Sequence, residues 1–198
     1  GPTLLSTTLL TDLGRLDHDP ANRDALEIVT ACMRHREAAL LYLDIEGLLW
    51  PVTIFPHQML YHCPRDMALA SPAGVSGVKV INAEPPGVRP PGHWMHERVA
   101  EAQHYRPLEP LLCQLALQGP RRALLLEISG TAAYRVAHAS TAEQCVASGA
   151  LGPAMERLRR ESVSLREIAS WPGLSVERAS RLLNALYLIS SLMVIRSH

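Results

Sequence analysis

The sequence predicts an α+β protein in which a helix plus β-hairpin unit occurs twice and a small helical, winged-helix-like C-terminal domain follows. Three observations carry this expectation. Helical apolar spacing gives way to β-rich apolar runs after residue 36 and again after residue 120. The run Leu41-Tyr42-Leu43-Asp44-Ile45-Glu46-Gly47 overlays Leu124-Leu125-Leu126-Glu127-Ile128-Ser129-Gly130 at a constant offset, with Leu26-Glu27 over Leu108-Glu109 one residue out of register. From Ser140 onward the strand signals stop and short helices succeed one another.

Asp19-Pro20 reads as a helix start, with Asp as N-cap and Pro at the first helical position; Leu26, Val29 and Met33 continue it, predicting a helix over about residues 20–36. Residues 38–45 and 48–55 are then two β-rich runs split by the turn pair Glu46-Gly47, a hairpin. Pro51 removes one ladder donor, which places the second run on an edge or at a bulge. Residues 68–93 are rich in Ala, Gly, Pro and Ser and read as a linker with one strand at Val78-Lys79-Val80-Ile81. Pro85-Pro86-Gly87-Val88-Arg89-Pro90-Pro91 inside it is expected to be a stiff spacer, since it lacks the PxxP spacing of a docking motif.

Leu108, Leu111, Leu112 and Leu115 make the second helical stripe, ended by Gly119-Pro120. In the tail, Ser140-Thr141-Ala142-Glu143 and Ser164-Leu165-Arg166-Glu167 match the capping box, and Ser175 caps a stripe of Val176, Ala179, Leu183 and Leu186. Leu192-Met193-Val194-Ile195 is a terminal strand, completing helix–turn–helix and the first strand of a wing, with the chain stopping before a second. The units are thus residues 3–67, a linker at 68–93, residues 94–139, and a tail at 140–198.

Composition narrows function. With 47% apolar and 19% charged residues the chain can bury a core, and 19 basic against 19 acidic residues leave no global field toward nucleic acid or an anionic membrane. Lys79 is the one lysine, an arginine bias that fits a GC-rich genome and carries no functional signal. Gly1-Pro2 matches the remnant of a cleaved tag and is set aside. No apolar run approaches the length of a membrane span and no signal peptide is evident, so a cytoplasmic location is expected. Cys32, Cys63, Cys113 and Cys145 form no CxxC pair, which fits a reducing compartment and supports neither a zinc ribbon nor a thioredoxin-type site.

No GxSxG elbow, P-loop or GxGxxG cradle occurs, and Val75-Ser76-Gly77 lacks the strand-to-helix setting of a nucleophile, so no catalytic residue, cofactor or metal is expected. His93, His96, Glu97 and His104 fit no metalloenzyme spacing and read as solvent-facing residues of an amphipathic helix. His57, His62 and Cys63 lack a fourth ligand, and Asp17-His18-Asp19 already uses Asp19 as a cap. What remains is binding. Off the apolar stripe of the 176–189 helix lie Arg178, Arg181, Asn184 and Tyr187, a face for a partner. Seven Arg against five Glu in residues 140–198 make that face too weakly basic to favour DNA over protein; a DNA-binding regulator using the 176–189 helix stands as the alternative, and a hydrolase or metalloenzyme built from the dispersed histidines ranks behind it. Trp50, Trp94 and Trp171 read first as core residues, with Trp50 beside Pro51 on an edge strand the candidate for a binding hot spot; self-association stays open.

Residues 41–47, Pro51-Val52-Thr53-Ile54-Phe55 and Met59-Leu60-Tyr61-His62-Cys63, with Ser164-Leu165-Arg166-Glu167-Ile168 through Arg181-Leu182-Leu183-Asn184-Ala185-Leu186, resemble the PATAN-type domains of bacterial response regulators and motility proteins. Ala38-Ala39, His57-Gln58 and Ser190-Ser191 depart from that pattern. The resemblance covers half the chain and implies a non-catalytic signalling adaptor that binds a protein partner, without assigning functional residues.

Overall fold

The computed structural model describes residues 4–16, 24–66, 72–137, 146 and 148–197. The architecture is α+β, in two compact units: the chain up to Leu108 together with Gln118–Pro120, and Glu109–Leu117 together with the chain from Arg121. Among the described residues no helix is long and apolar enough to cross a membrane.

The first unit opens with α1 (Thr7–Leu16), to which the apolar pattern of the sequence assigns nothing because only Leu9 and Leu13 face the core. Ser6 starts it, its hydroxyl accepting the Leu9 N–H at 3.2 Å. Helix α2 (Ala25–His35) begins later than the spacing predicts, for Asp24 is its N-cap and accepts from Leu26 at 3.0 Å and Glu27 at 3.2 Å; Asp19-Pro20 lie outside the described residues. It ends where Arg36 turns left-handed (φ 50°) and the N–H of Glu37 returns to the Cys32 carbonyl at 3.1 Å. The α1–α2 contact is fastened by Asp12, which meets Arg34 at 2.9 Å and His35 at 2.6 Å.

A five-stranded antiparallel sheet of order β4-β1-β2-β3-β5 follows. Strands β1 (Ala39–Ile45) and β2 (Leu48–Phe55) form the expected hairpin, and Glu46 and Gly47, both at positive φ, supply the two-residue turn that suits strand twist. Alternate burial along β1 puts Ala39, Leu41, Leu43 and Ile45 in the core, each worth up to about 2 kcal/mol for the larger side chains. Although β2 is interior, β3 (Leu60–His62) pairs only with Thr53–Phe55, so Pro51 falls where β2 has a single neighbour.

Within residues 68–93 the strand expected at 78–81 forms and joins this sheet. Strand β4 (Lys79–Glu84) pairs along β1, with a register shift opposite Tyr42 and Leu43 that leaves Ile81 exposed, and β5 (Tyr105–Pro107) closes the far side against β3. The separation of residues 68–93 as a spacer therefore gives way to one unit reaching Leu108.

Helix α3 (Leu108–Gln118) forms on its predicted stripe, with Leu108, Leu111, Leu112 and Leu115 all buried. The second hairpin does not follow. Residues 126–128 are a 3-10 turn, because the backbone of 123–125 is engaged by the side chain of Asn184 instead of a neighbouring strand. β6 (Ala133–Val136) pairs instead with β7 (Leu192–Ile195), and Tyr134 also bridges Val163 on its other side. Between these strands run α4 (Leu151–Arg160), α5 (Leu165–Ala169) and α6 (Val176–Leu188). Ser164 and Ser175 cap α5 and α6 as the sequence predicts, whereas the Ser140–Glu143 box lies outside the described residues.

Candidate functional site

The face expected on α6 is largely spent inside its own unit. Asn184 is 0% exposed: its Oδ1 accepts the Leu125 N–H at 2.9 Å and its Nδ2 donates to the Ala123 carbonyl at 3.0 Å. Arg181 donates to the carbonyls of Ala116 and Leu117 at 3.4 and 3.2 Å near the end of α3, where a cation complements the helix dipole. Glu177 sits 3.5 Å from Arg181 and 3.3 Å from Arg122, and the Tyr187 hydroxyl bonds Glu127. Of the four only Arg178 is exposed, and its guanidinium donates to the Gly173 carbonyl. The helical period placed these residues off the apolar stripe correctly, but the segment 109–127 covers that side with backbone carbonyls and amides, so a polar residue there is a buried fastener.

Trp50 does not present a hot spot either. It is 5% exposed, and the Arg65 guanidinium lies 4.2 Å from its ring centre, donating to the Leu49 carbonyl. Trp171 is likewise buried, beneath Arg157 at 4.4 Å.

The histidine groupings are dispersed by the backbone. Residues 93–104 hold no α-helix: His96–Arg98 and Ala102–His104 are 3-10 turns, His93 stacks on Trp94, and His104 stands edge-on to His62 with ring centres 6.0 Å apart. His62 is buried, and burial first and His104 second hold its pKa below the usual histidine value. Its neighbour Cys63 projects to the opposite side of the chain, buried, with its thiol pKa pushed up by desolvation, while His57 is in solvent. Cys32, also buried, is pushed up to about 12, which leaves almost no thiolate at neutral pH. Among the described residues no group of three His, Cys, Asp or Glu is placed to hold a metal. Asp17, His18, Asp19 and Cys145 lie outside the described residues, and Ser76 sits in a 3-10 turn (Pro72–Gly77).

One large aromatic is displayed instead. Trp94 is 77% exposed, on the segment between β4 and β5. The base of that loop is closed where Arg89 bridges Val99, its N–H bonding the Arg98 carbonyl at 2.9 Å. Tyr105 locks the closure: its hydroxyl donates to the Arg89 carbonyl and accepts the Ala100 N–H at 2.9 Å, while its ring packs on His62 and Phe55 at 5.2 and 6.2 Å. Within the loop, His93 Nδ1 accepts the Met95 N–H at 3.1 Å, and the Arg98 and Val99 amides return to Met95 and His96 at 3.0 and 3.1 Å. The His93 ring stacks on the indole with centres 5.6 Å apart and planes 28° from parallel. A pre-set loop holding a hydrated indole spends little ordering entropy when that indole is covered. The sequence carried one signal for it: Pro90-Pro91-Gly92, turn chemistry immediately ahead of Trp94.

No protein-family model, curated protein or solved structure matches this chain.

Proposed function

We propose that this chain is a non-catalytic regulatory adaptor of bacterial signalling type that binds a protein partner, with Trp94 as the anchor. The observation that carries this is the exposed indole on a loop hydrogen-bonded at its base and along its length. Tryptophan is prominent among residues that dominate protein interfaces, and a preorganised loop lets its burial count toward affinity.

The fold of the second unit supports a protein partner over DNA. We read its order of helix, single bridge, two helices and strand as winged-helix-like, with β6 in the place of a wing's returning strand. In such a fold α6 would enter the major groove, yet all four of its polar side chains singled out above are bonded to backbone or side-chain partners within the unit, and three of them are at least half-buried. The PATAN-type resemblance points the same way.

Affinity capture from the source cells with the full chain, quantified by mass spectrometry against a Trp94→Ala variant of unchanged melting temperature, tests the reading. A partner whose recovery falls by roughly thirtyfold, the scale of a 2 kcal/mol hot spot, is expected. Recovery of the same proteins by both forms refutes the role of Trp94. Saturable binding to duplex DNA that weakens steeply with salt would favour the alternative regulator.

A further inference from the structure

A second feature of the first unit, separate from the Trp94 indole, points to a small ligand. Leu4, Leu5, Ala38, Pro85 and Pro86 wall a cleft of about 350 Å³, at the lower end of the size range of ligand sites. Glu37 and Arg89 also line it, both half-buried. Among the described residues neither belongs to an ion pair, although other charged side chains of this unit, such as Asp12 and Arg34, do pair.

Both charges stand on fixed backbone. The Glu37 N–H closes α2 on Cys32 at 3.1 Å, and one carboxylate oxygen accepts the Ser6 N–H at 2.8 Å, leaving the other oxygen open. Arg89 is held by its own N–H, bonded to Arg98, and by its carbonyl, bonded to Tyr105. A cation and an anion without a counter-charge beside apolar walls lose part of their hydration, which the Ser6 N–H offsets only for one Glu37 oxygen and a ligand of matching charges would restore.

From these residues we infer that the cleft is a binding site for a small apolar zwitterion, an α-amino acid with an aliphatic, thioether or aromatic side chain. Its carboxylate meets the Arg89 guanidinium, the group built for bidentate recognition of a planar carboxylate. Its ammonium meets the open oxygen of Glu37, and its side chain lies along Leu4, Leu5, Pro85 and Pro86. Size agrees: at about 30 Å³ per water the cleft has the room of about a dozen waters, enough for an amino acid the size of leucine to phenylalanine.

Isothermal titration calorimetry on the full chain decides this. The probes are L-leucine, L-isoleucine, L-methionine and L-phenylalanine, with 4-methylpentanoate, which is leucine without its ammonium, and isopentylamine, which is leucine without its carboxylate. At least one of the four amino acids is expected to bind saturably at one site per chain. Arg89→Met and Glu37→Gln should each weaken that binding by about tenfold to a hundredfold, the scale of one charge-assisted hydrogen-bond set. If a variant fails to fold, the two analogues on the unaltered chain still decide, since each should lose affinity by a similar factor. The inference is overturned if none of the four amino acids binds with a dissociation constant below the order of 10 mM. It is equally overturned if a folded variant or either analogue binds as tightly as the intact pair.

Discussion

Asn184→Ala separates a buried fastener from a surface contact, and the size of its effect follows from two hydrogen bonds. The substitution removes the acceptor of the Leu125 N–H and the donor to the Ala123 carbonyl. Leu125 is fully buried, so its orphaned amide keeps no water in exchange and costs about 2 kcal/mol; Ala123 is exposed, and its carbonyl recovers a water for a net loss of about 0.5–1 kcal/mol. The amide volume left empty beside a side chain that is 0% exposed adds up to about 1 kcal/mol, giving about 3–4 kcal/mol in all. Urea unfolding followed by circular dichroism measures the loss, and hydrogen exchange localises it, since the Leu125 amide should lose protection more than amides elsewhere in the unit. A second variant sets the sign. In Asn184→Asp the introduced carboxylate still accepts from Leu125 but faces the Ala123 carbonyl; burial raises its pKa above the unfolded value of about 3.9, so its penalty is largest at neutral pH and is relieved as pH falls and the protonated acid donates to Ala123. A loss below about 1 kcal/mol for Asn184→Ala, the usual result at a solvent-facing position, would refute the assignment.

Three further outcomes are expected. Asp12 is held at a pKa of about 2, chiefly by its hydrogen bonds to Arg34 and His35, so Asp12→Asn should cost about 1–2 kcal/mol at pH 7 once solvent screening is allowed for. Because the folded value lies below the ordinary 3.8, that contribution is present above pH 4 and disappears toward pH 2, where stability curves of the two forms should meet. His62 is depressed in the folded state, so the native form resists the proton that the unfolded chain accepts: stability should decline as pH drops below 6.5, and His62→Phe should flatten the melting temperature between pH 7.5 and roughly 5.5. Gly173 adopts φ +75°, and a Cβ there would lie 2.6 Å from the Ala150 side chain, so Gly173→Ala should lower stability by about 2 kcal/mol or more, read as a clear drop in melting temperature.

Local chemistry made part of this molecule legible from its residues alone. Glu46-Gly47 between two β-rich runs specified the hairpin because both turn positions need positive φ, and Ser164 and Ser175 marked helix starts because a hydroxyl satisfies a free amide wherever the rest of the chain lies. What escaped was set by distant partners. Leu124 to Ile128 has the composition of a strand, but pairing is decided by which backbone comes alongside, and there it is the Asn184 side chain. Arg181 and Tyr187 sit where helical spacing puts exposed residues, and spacing alone carries no information about a second segment covering that side. Trp50 and Trp94 exchanged expectations for a similar reason: Arg65 covers the first, and the loop closed by Tyr105 displays the second. The cleft was beyond sequence reasoning, since Leu4, Glu37 and Arg89 are brought together only by the fold.

The position of β6 has a consequence for synthesis. It is the middle strand of the second unit's sheet, joined to Val163 on one side and, through Tyr134 opposite Val194, to β7 on the other. On the ribosome it emerges well before either neighbour, and at roughly 5–20 residues per second its β7 partner follows some seconds later. Tyr134 and Val136, both buried in the finished protein, spend that interval uncovered. A fragment beginning at Val146 would face the converse problem, with β7 offering an open edge flanked by the exposed Met193 and Ile195 and the β6 strand of another molecule as its nearest substitute.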